Sequence, residues 1–87
     1  MDAEELERLR QAFASELRAA RGRAAMSRTE VARKSGVSLS SLNRYESGER
    51  TIPLPDLVDI CRVLDVPFEQ VFDAAQRAFR DSTPGAM

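Results

Sequence analysis

The fold is decided by residues 27–48, SRTEVARKSGVSLSSLNRYESG. Ser27 followed three residues later by Glu30 is a capping box, in which each side chain satisfies a free backbone N–H at the start of a helix. This predicts a short helix from about Arg28 to Lys34, with a valine and an alanine on its inner face. Gly36 then ends the helix, because glycine takes the left-handed conformation that a tight turn requires.

A second short helix follows at once. Ser38 is the predicted N-cap of a helix over residues 39–46, in which Leu42 and Tyr45 point inward. Gly48 is its predicted end. The stretch therefore encodes two short helices joined by a tight turn that contains glycine.

On the N-terminal side of this motif, apolar residues recur every three or four positions and predict one amphipathic helix over residues 3–21. Its apolar stripe is Leu6, Leu9, Phe13, Leu17 and Ala20. Gly22 is the predicted stop of this helix.

On the C-terminal side, prolines predict the start of two more helices. Pro55 suits the first position of a fourth helix, and Pro67 restarts the chain in the same way for a fifth. The inner stripes are Leu57, Ile60, Cys61 and Leu64 on the fourth helix and Phe68, Val71, Phe72, Ala75 and Phe79 on the fifth. Residues 82–87 are predicted to be disordered. The expected architecture is an all-α domain of five helices.

Composition excludes several classes of protein. Eighty-seven residues suit one domain, and the absence of histidine leaves no zinc site, no Ser-His-Asp triad and no Cys-His dyad. We therefore expect no enzyme, no metal and no cofactor. The lone Cys61 fits a core position in a reduced, cytoplasmic protein. The acidic N-terminus and the lack of an apolar run of ~20 residues favour neither a signal peptide nor a membrane span.

Charge is distributed unevenly along the chain. The formal net charge is -1, but residues 17–50 carry eight basic and three acidic side chains, for +5, while residues 1–16 and 51–87 carry -3 each. The two short helices lie in the basic segment. In a helix-turn-helix the first helix crosses the DNA backbone and the second enters the major groove, so this coincidence indicates DNA binding. A merely solvated basic face is the alternative.

The motif resembles the XRE family, the Cro and phage-repressor type of helix-turn-helix. The stretches that match are Ser27 to Ala32, Gly36 to Ser38, Leu42 to Gly48, Pro53 and Leu57. The resemblance covers residues 14–72, which leaves residues 1–13 as an extension of helix 1 and residues 73–87 as a C-terminal helix extension and tail. It implies a lambda-repressor-like fold of five helices with extended first and last helices. It further implies a homodimer that binds double-stranded DNA at a two-fold-related operator.

The resemblance also implies the residues that contact DNA. The base contacts would be Leu39, Ser40, Asn43 and Arg44. The phosphate contacts would be Ser27, Arg28, Ser38, Ser41, Ser47, Gly48 and Arg50. Arg44 is the side chain expected to pair with O6 and N7 of a guanine. Arg28 stands where the family typically has glutamine, and Glu49 departs from the basic residue usual there, which weakens the neighbouring phosphate site.

Glu46 needs a separate explanation, because a carboxylate on a DNA-facing helix would repel phosphate. The resemblance implies a structural ion pair with Arg21 at the end of helix 1, and a free surface carboxylate is the alternative. Arg18 and Arg23 are expected to solvate helix 1 or to border the DNA. The last helix carries an apolar stripe that forms either a dimer surface or a packing surface against helix 1.

The predicted function is a sequence-specific DNA-binding transcriptional regulator, a repressor, located in the cytoplasm on the nucleoid. One alternative is an antitoxin that also binds a protein toxin through the acidic flanking helices. Another is a helix-turn-helix fold used only for protein interaction.

Overall fold

Five α-helices and the turns between them make up residues 1–82, the part of the chain that this computed structural model describes. The helices are α1, Ala3–Arg23; α2, Arg28–Ser35; α3, Leu39–Ser47; α4, Leu54–Leu64; and α5, Phe68–Asp81. Over these residues the predicted all-α architecture is confirmed. None of the five helices is both long and apolar enough to cross a membrane.

Glycines and serines delimit the two short helices as predicted. Gly36 and Gly48 follow α2 and α3 in the left-handed conformation, each with φ of 80°. The hydroxyls of Ser27 and Ser38 accept hydrogen bonds from the backbone N–H three residues later, at 3.1 and 3.0 Å. Each serine therefore satisfies one of the donors that a helix start leaves free.

Gly22 does not end α1, contrary to the prediction. The helix continues to Arg23, and the left-handed residue after it is Ala25, with φ of 54°. Glycine inside a helix is only about 1 kcal/mol less favourable than alanine, which the packing of a long helix offsets. The ends of α2 and α3 each lie one residue later than predicted.

The predicted capping box at Ser27 is half formed. Ser27 accepts from the backbone N–H of Glu30, but the Glu30 carboxylate lies 3.5 Å from the Nζ of Lys34, one turn further on. A complete capping box is found at the start of α1 instead, where Asp2 and Glu5 each accept from the other's backbone N–H.

The helices begin one residue away from the positions that the prolines predict, one residue earlier for α4 and one residue later for α5. Pro53 is the N-cap of α4, and Pro55 is the second residue of that helix rather than its first. Pro67 is likewise the N-cap of α5. The N-cap and the second helical position both suit proline, because the backbone N–H groups at the start of a helix have no partner within the helix.

All five helices contribute side chains to one core, in which α1 packs on α3 and α5, and α2 packs on α3 and α4. Its buried members are Leu17, Ala20, Val31, Val37, Leu42, Tyr45, Leu57, Ile60, Cys61, Leu64 and Val71. The predicted inner stripe of α4 is thus buried in full. Burial raises the pKa of the Cys61 thiol, which agrees with a core role.

The apolar stripe of α5 faces α1, so the packing alternative for this stripe is confirmed. Ala75 is buried, and the guanidinium of Arg8 lies over the Phe79 ring, 4.9 Å from its centroid. The rings of Phe13 and Phe72 meet edge to face at 5.6 Å. Phe72 nevertheless keeps 42% of its surface exposed.

The end of α5 is capped by Ser82, whose hydroxyl donates to the carbonyl oxygen of Phe79 at 2.8 Å. The disorder predicted for residues 82–87 otherwise falls on residues 83–87, which lie outside the described residues.

Candidate nucleic-acid interface

α3 turns one side to the core and the other to solvent. Leu42 and Tyr45 are buried, as their spacing predicted. The four residues predicted to contact bases are all exposed: Leu39, Ser40, Asn43 and Arg44. The phenol of Tyr45 ties the inner side to α4 by donating to Oδ2 of Asp56 at 2.5 Å. Burial and this hydrogen bond raise the pKa of Tyr45.

The only acidic residue of α3 is turned away from solvent. Glu46 is 3% exposed, and the Arg21 guanidinium donates to both of its oxygens, from Nε at 2.8 Å and from Nη2 at 2.9 Å. Arg21 also donates from Nη1 to the carbonyl of Met26 at 3.0 Å. The hydrogen bonds with Glu46 raise the pKa of Arg21. Because this pair is bidentate and buried, the exposed side of α3 carries no negative charge.

α1 also holds the C-terminal end of α3 through main-chain oxygens. Arg18 donates from Nη1 to the carbonyl of Glu46, and Gln11 donates from Nε2 to the carbonyl of Ser47 at 3.2 Å. Carbonyls at a helix end have no partner within the helix, so these two side chains satisfy them. Sequence patterns do not point to either contact, because the partners lie 28 and 36 residues apart. Arg18 therefore has a structural role rather than a purely solvated one.

The residues predicted to contact phosphate lie at the helix ends around α3. Ser27 and Arg28 begin α2, Ser38 and Ser41 lie at the start of α3, and Ser47, Gly48 and Arg50 lie at its C-terminal end. Five of these seven are exposed, whereas Ser41 is half-buried and Gly48 is buried. The N–H of Gly48 is bonded to the carbonyl of Tyr45 at 3.3 Å. Glu49 is exposed next to Arg50.

Arg28 lies at the junction of α2 and α3. Its Nη1 donates to Oδ1 of Asn43 at 3.2 Å, and its Nε lies 3.9 Å from Oε1 of Glu46. The side chain keeps 51% of its surface exposed. One side chain thus contacts a predicted base-reading residue and also faces solvent at the start of α2. Within residues 1–82, the aspartate, glutamate and cysteine side chains form no cluster that could hold a metal ion.

The chain is similar to known proteins along most of its length. A family model described as a helix-turn-helix domain matches residues 12–74. One crystal structure of the clp gene regulator ClgR from Corynebacterium glutamicum is 26% identical, with a TM-score of 0.77 over 83% of this chain and 77% of that one. A second structure of ClgR is 27% identical, with a TM-score of 0.75 over 80% of this chain and 91% of that one. No curated protein matches the chain significantly.

Proposed function

This chain belongs to the helix-turn-helix domain family and is a DNA-binding transcriptional regulator, and we propose that it reads its operator by placing α3 in the major groove. The observation that carries the proposal is the charge on α3. The exposed side holds Arg44 and short polar residues, while Glu46, which would repel phosphate, is buried against Arg21. With this central carboxylate neutralised, the basic segment presents a mainly attractive surface to DNA, and the exposed Glu49 beside Arg50 is an exception.

Three of the exposed residues of α3 then have defined roles. Arg44 donates bidentately to O6 and N7 of a guanine, which is the strongest contact available to this helix. Leu39 makes an apolar contact with a thymine methyl group, and Ser40 hydrogen-bonds with little preference among bases. Few long polar side chains face the groove, so DNA shape supplies part of the specificity.

Phosphate contacts position the helix. Arg28 contacts α3 at Asn43, Arg50 follows α3 in the chain, and both residues are exposed. The starts of α2 and α3, capped by Ser27 and Ser38, present backbone N–H groups where a helix dipole favours an anion. These contacts supply affinity and orientation, and they carry no sequence information directly.

Binding of duplex DNA measured at several salt concentrations tests the proposal. We expect affinity to fall steeply with salt, and Arg28→Ala to weaken binding and to reduce the salt slope by ~1. Arg44→Ala should relax the preference at one base pair by ~1 to 3 kcal/mol. Arg77→Ala on α5 is the matched control, since it removes the same charge from an exposed residue far along the chain, and it should change neither quantity.

Two results would contradict the proposal. If no duplex is bound in a salt-dependent way, the fold serves as a protein-interaction module. If Arg44→Ala weakens binding to every sequence equally, Arg44 contacts a phosphate and does not read a base.

We propose further that the regulator is a homodimer. An apolar cleft of about 220 Å³ opens between α1, α4 and α5, and its lining includes Phe13, Leu54 and Phe72. Leu54 is 57% exposed and Phe72 is 42% exposed, so two exposed large apolar side chains line one cleft. Arg10 and Arg50 line the same cleft.

A second copy of the chain would cover this surface, because a two-fold contact buries the exposed apolar side chains of each copy against those of the other. The cleft is lined by the loop that follows α3, including Arg50 and Thr51. A two-fold axis here therefore holds two copies of α3 near each other, for half-sites about one helical turn, ~34 Å, apart.

The mass of the protein in solution tests this dimer. Leu54→Ser and Phe72→Ser should convert a dimer into a monomer at micromolar concentration, measured by sedimentation equilibrium. Leu39→Ser is the matched control, because Leu39 is an apolar residue with similar exposure, 41%, on the DNA side. A wild-type protein that is monomeric without DNA and binds a single half-site would refute the dimer. The cleft would then belong to another protein, such as the toxin of an antitoxin pair.

In this role the chain binds DNA and catalyses no reaction. We place it in the cytoplasm, on the nucleoid, where its operator lies. Bound over a promoter it excludes the polymerase and acts as a repressor. Expression of a reporter placed behind an operator that is selected from a random duplex pool should therefore rise when the chain is absent, and a fall in expression would identify an activator.

A further inference from the structure

We infer that Glu7, on the N-terminal extension of α1, restrains DNA binding by cancelling the charge of Arg10 beside the end of α3. This inference rests on the proposed function, since it concerns how strongly α3 is held to the phosphate backbone. Both residues lie outside residues 12–74, which match the family model, so the matched part of the chain does not contain the restraint.

The side chain of Gln11 lies directly on the last turn of α3. Its Nε2 donates to the carbonyl of Ser47 at 3.2 Å, and a Cβ added to Gly48 would collide with the same nitrogen. Nε2 also donates to Oε1 of Glu7 at 3.2 Å. An amide nitrogen has two donors, so neither of them is left for a phosphate. Gln11 therefore covers the backbone at the end of α3 and ties the Glu7 carboxylate to it.

Glu7 is ionised in this position. Nη2 of Arg10 donates to its Oε2 at 3.0 Å, and the hydrogen bonds from Arg10 and Gln11 lower the pKa of Glu7. The side chain keeps 54% of its surface exposed, so its charge is open to solvent. Two consecutive hydrogen bonds through one nitrogen join this carboxylate to the carbonyl of Ser47, so it lies close to the end of α3.

The uncharged donors at the end of α3 are bonded within the protein. The hydroxyl of Ser47 donates to the carbonyl of Arg44 at 3.1 Å. The backbone N–H of Gly48 donates to the carbonyl of Tyr45 at 3.3 Å, and that of Glu49 donates to the carbonyl of Arg44 at 3.0 Å. These three donors already have partners in α3, so the attraction of this end for phosphate depends on charged side chains.

Four charged side chains lie around this end of α3, and their formal charges cancel. Arg10 and Arg50 line one cleft, Glu7 is bonded to Arg10, and Glu49 is exposed next to Arg50. Without Glu7 the formal charge of the group would be +1, and Arg10 would add to the attraction that Arg50 exerts on a phosphate. Charges interact over about 8 Å at physiological salt, so Arg10 need not touch the DNA.

Binding of the full chain to a duplex with one half-site, taken from an operator selected out of a random pool, tests this. A single half-site keeps changes in dimerisation out of the measurement. At low salt, Glu7→Gln should bind about two- to threefold more tightly than the wild type, the effect of one charge at about 8 Å in water. Arg10→Gln should bind more weakly by a similar factor. The double variant Glu7→Gln/Arg10→Gln should return to the wild-type affinity, because its charges cancel again.

Glu69→Gln is the matched control. It removes the same charge from an exposed residue of α5 and should leave the affinity unchanged. Raising the salt from about 50 to about 200 mM should reduce the advantage of Glu7→Gln, since exposed charges are screened. Urea unfolding of each variant should show an unchanged stability, because Glu7 is exposed and its ion pair with Arg10 lies at the surface.

The outcomes separate this inference from the proposed function. If the wild type binds DNA but Glu7→Gln binds no more tightly than Glu69→Gln, the inference is wrong and the proposed function stands. The same conclusion follows if the double variant stays as tight as Glu7→Gln, since Arg10 then has no part in the effect. If the wild type shows no salt-dependent binding to any duplex, the proposed function fails and the inference fails with it.

Discussion

Replacing Arg21 by methionine removes the main partner of a buried carboxylate. The Glu46 side chain is 2% exposed and that of Arg21 is 20% exposed, and two hydrogen bonds of 2.8 and 2.9 Å join them. Removing one partner of a buried ion pair lowers the free energy of unfolding by about 3–5 kcal/mol, because the charge of the other partner stays buried without compensation. Arg28 lies 3.9 Å from the same carboxylate and takes over part of the interaction. We therefore expect a loss at the lower end, about 3 kcal/mol.

Replacing the other partner, Glu46, should lower the free energy of unfolding by less. Glu46→Gln keeps an acceptor for Arg21 and leaves no buried negative charge, and Arg21 retains its hydrogen bond to the carbonyl of Met26 at 3.0 Å. We expect a loss of about 1–2 kcal/mol, the range for a hydrogen bond weakened by loss of charge. A larger loss of stability in Arg21→Met than in Glu46→Gln distinguishes a buried, paired carboxylate from a carboxylate on the surface.

Urea unfolding followed by far-UV circular dichroism at pH 7 measures both values. A chain of 87 residues has a stability of roughly 4–13 kcal/mol, so a loss of about 3 kcal/mol is a large part of it. The same loss lowers the midpoint of thermal unfolding by about 12–24 °C. A double-mutant cycle should give a coupling energy of more than about 0.5 kcal/mol. A smaller coupling, or an Arg21→Met variant more stable than Glu46→Gln, would refute the structural role of the pair.

Three other predictions concern stability. Gly48→Ala should lower it by about 1–2 kcal/mol, because φ is 80° and the new Cβ would meet the Gln11 side chain. Gly22→Ala lies at a helical position with open space around it and should raise the stability by about 0.5–1 kcal/mol. The midpoints of thermal unfolding should therefore shift in opposite directions, and equal shifts in the two variants would contradict both glycine predictions. Stability should also fall as pH rises above about 9. Folding raises the pKa values of the Cys61 thiol and the Tyr45 phenol above their ordinary 9.0 and 10.0. The unfolded chain therefore releases these two protons at a lower pH than the folded chain does, which favours unfolding. Urea titrations from pH 7 to 11 measure this effect. Cys61→Ala should remove the loss of stability that begins near pH 9, and Tyr45→Phe should remove the loss that begins near pH 10. A wild-type stability that does not change over this pH range would exclude the effect.

The sequence predicts the turn motif well because its signals are local. A serine that caps a helix acts on an N–H three residues away, and a left-handed glycine acts on its own turn, so Ser38 and Gly48 identify their helix ends without any tertiary information. The inner stripe of α4 follows in the same way from spacing alone. These features determine the two short helices and much of the core.

Other features depend on how distant segments meet. The contacts of Gln11 and Arg18 with the end of α3 join partners far apart in the sequence, and neither residue type is specific for such a role. The Gly22 signal misleads because a glycine both ends helices and is tolerated within long ones. The same limit applies to α5, where Phe72 belongs to the apolar stripe and still faces solvent in part.

The attachment of α3 to α1 has a consequence for how this protein can change its target. Arg18 and Gln11 bind the main-chain oxygens of Glu46 and Ser47, and every amino acid has such an oxygen. The outward side chains of α3 take no part in that attachment. A new set of outward residues can therefore be grafted onto the same scaffold without rebuilding its support, so the domain is suited to divergence, natural or engineered, toward new DNA sequences.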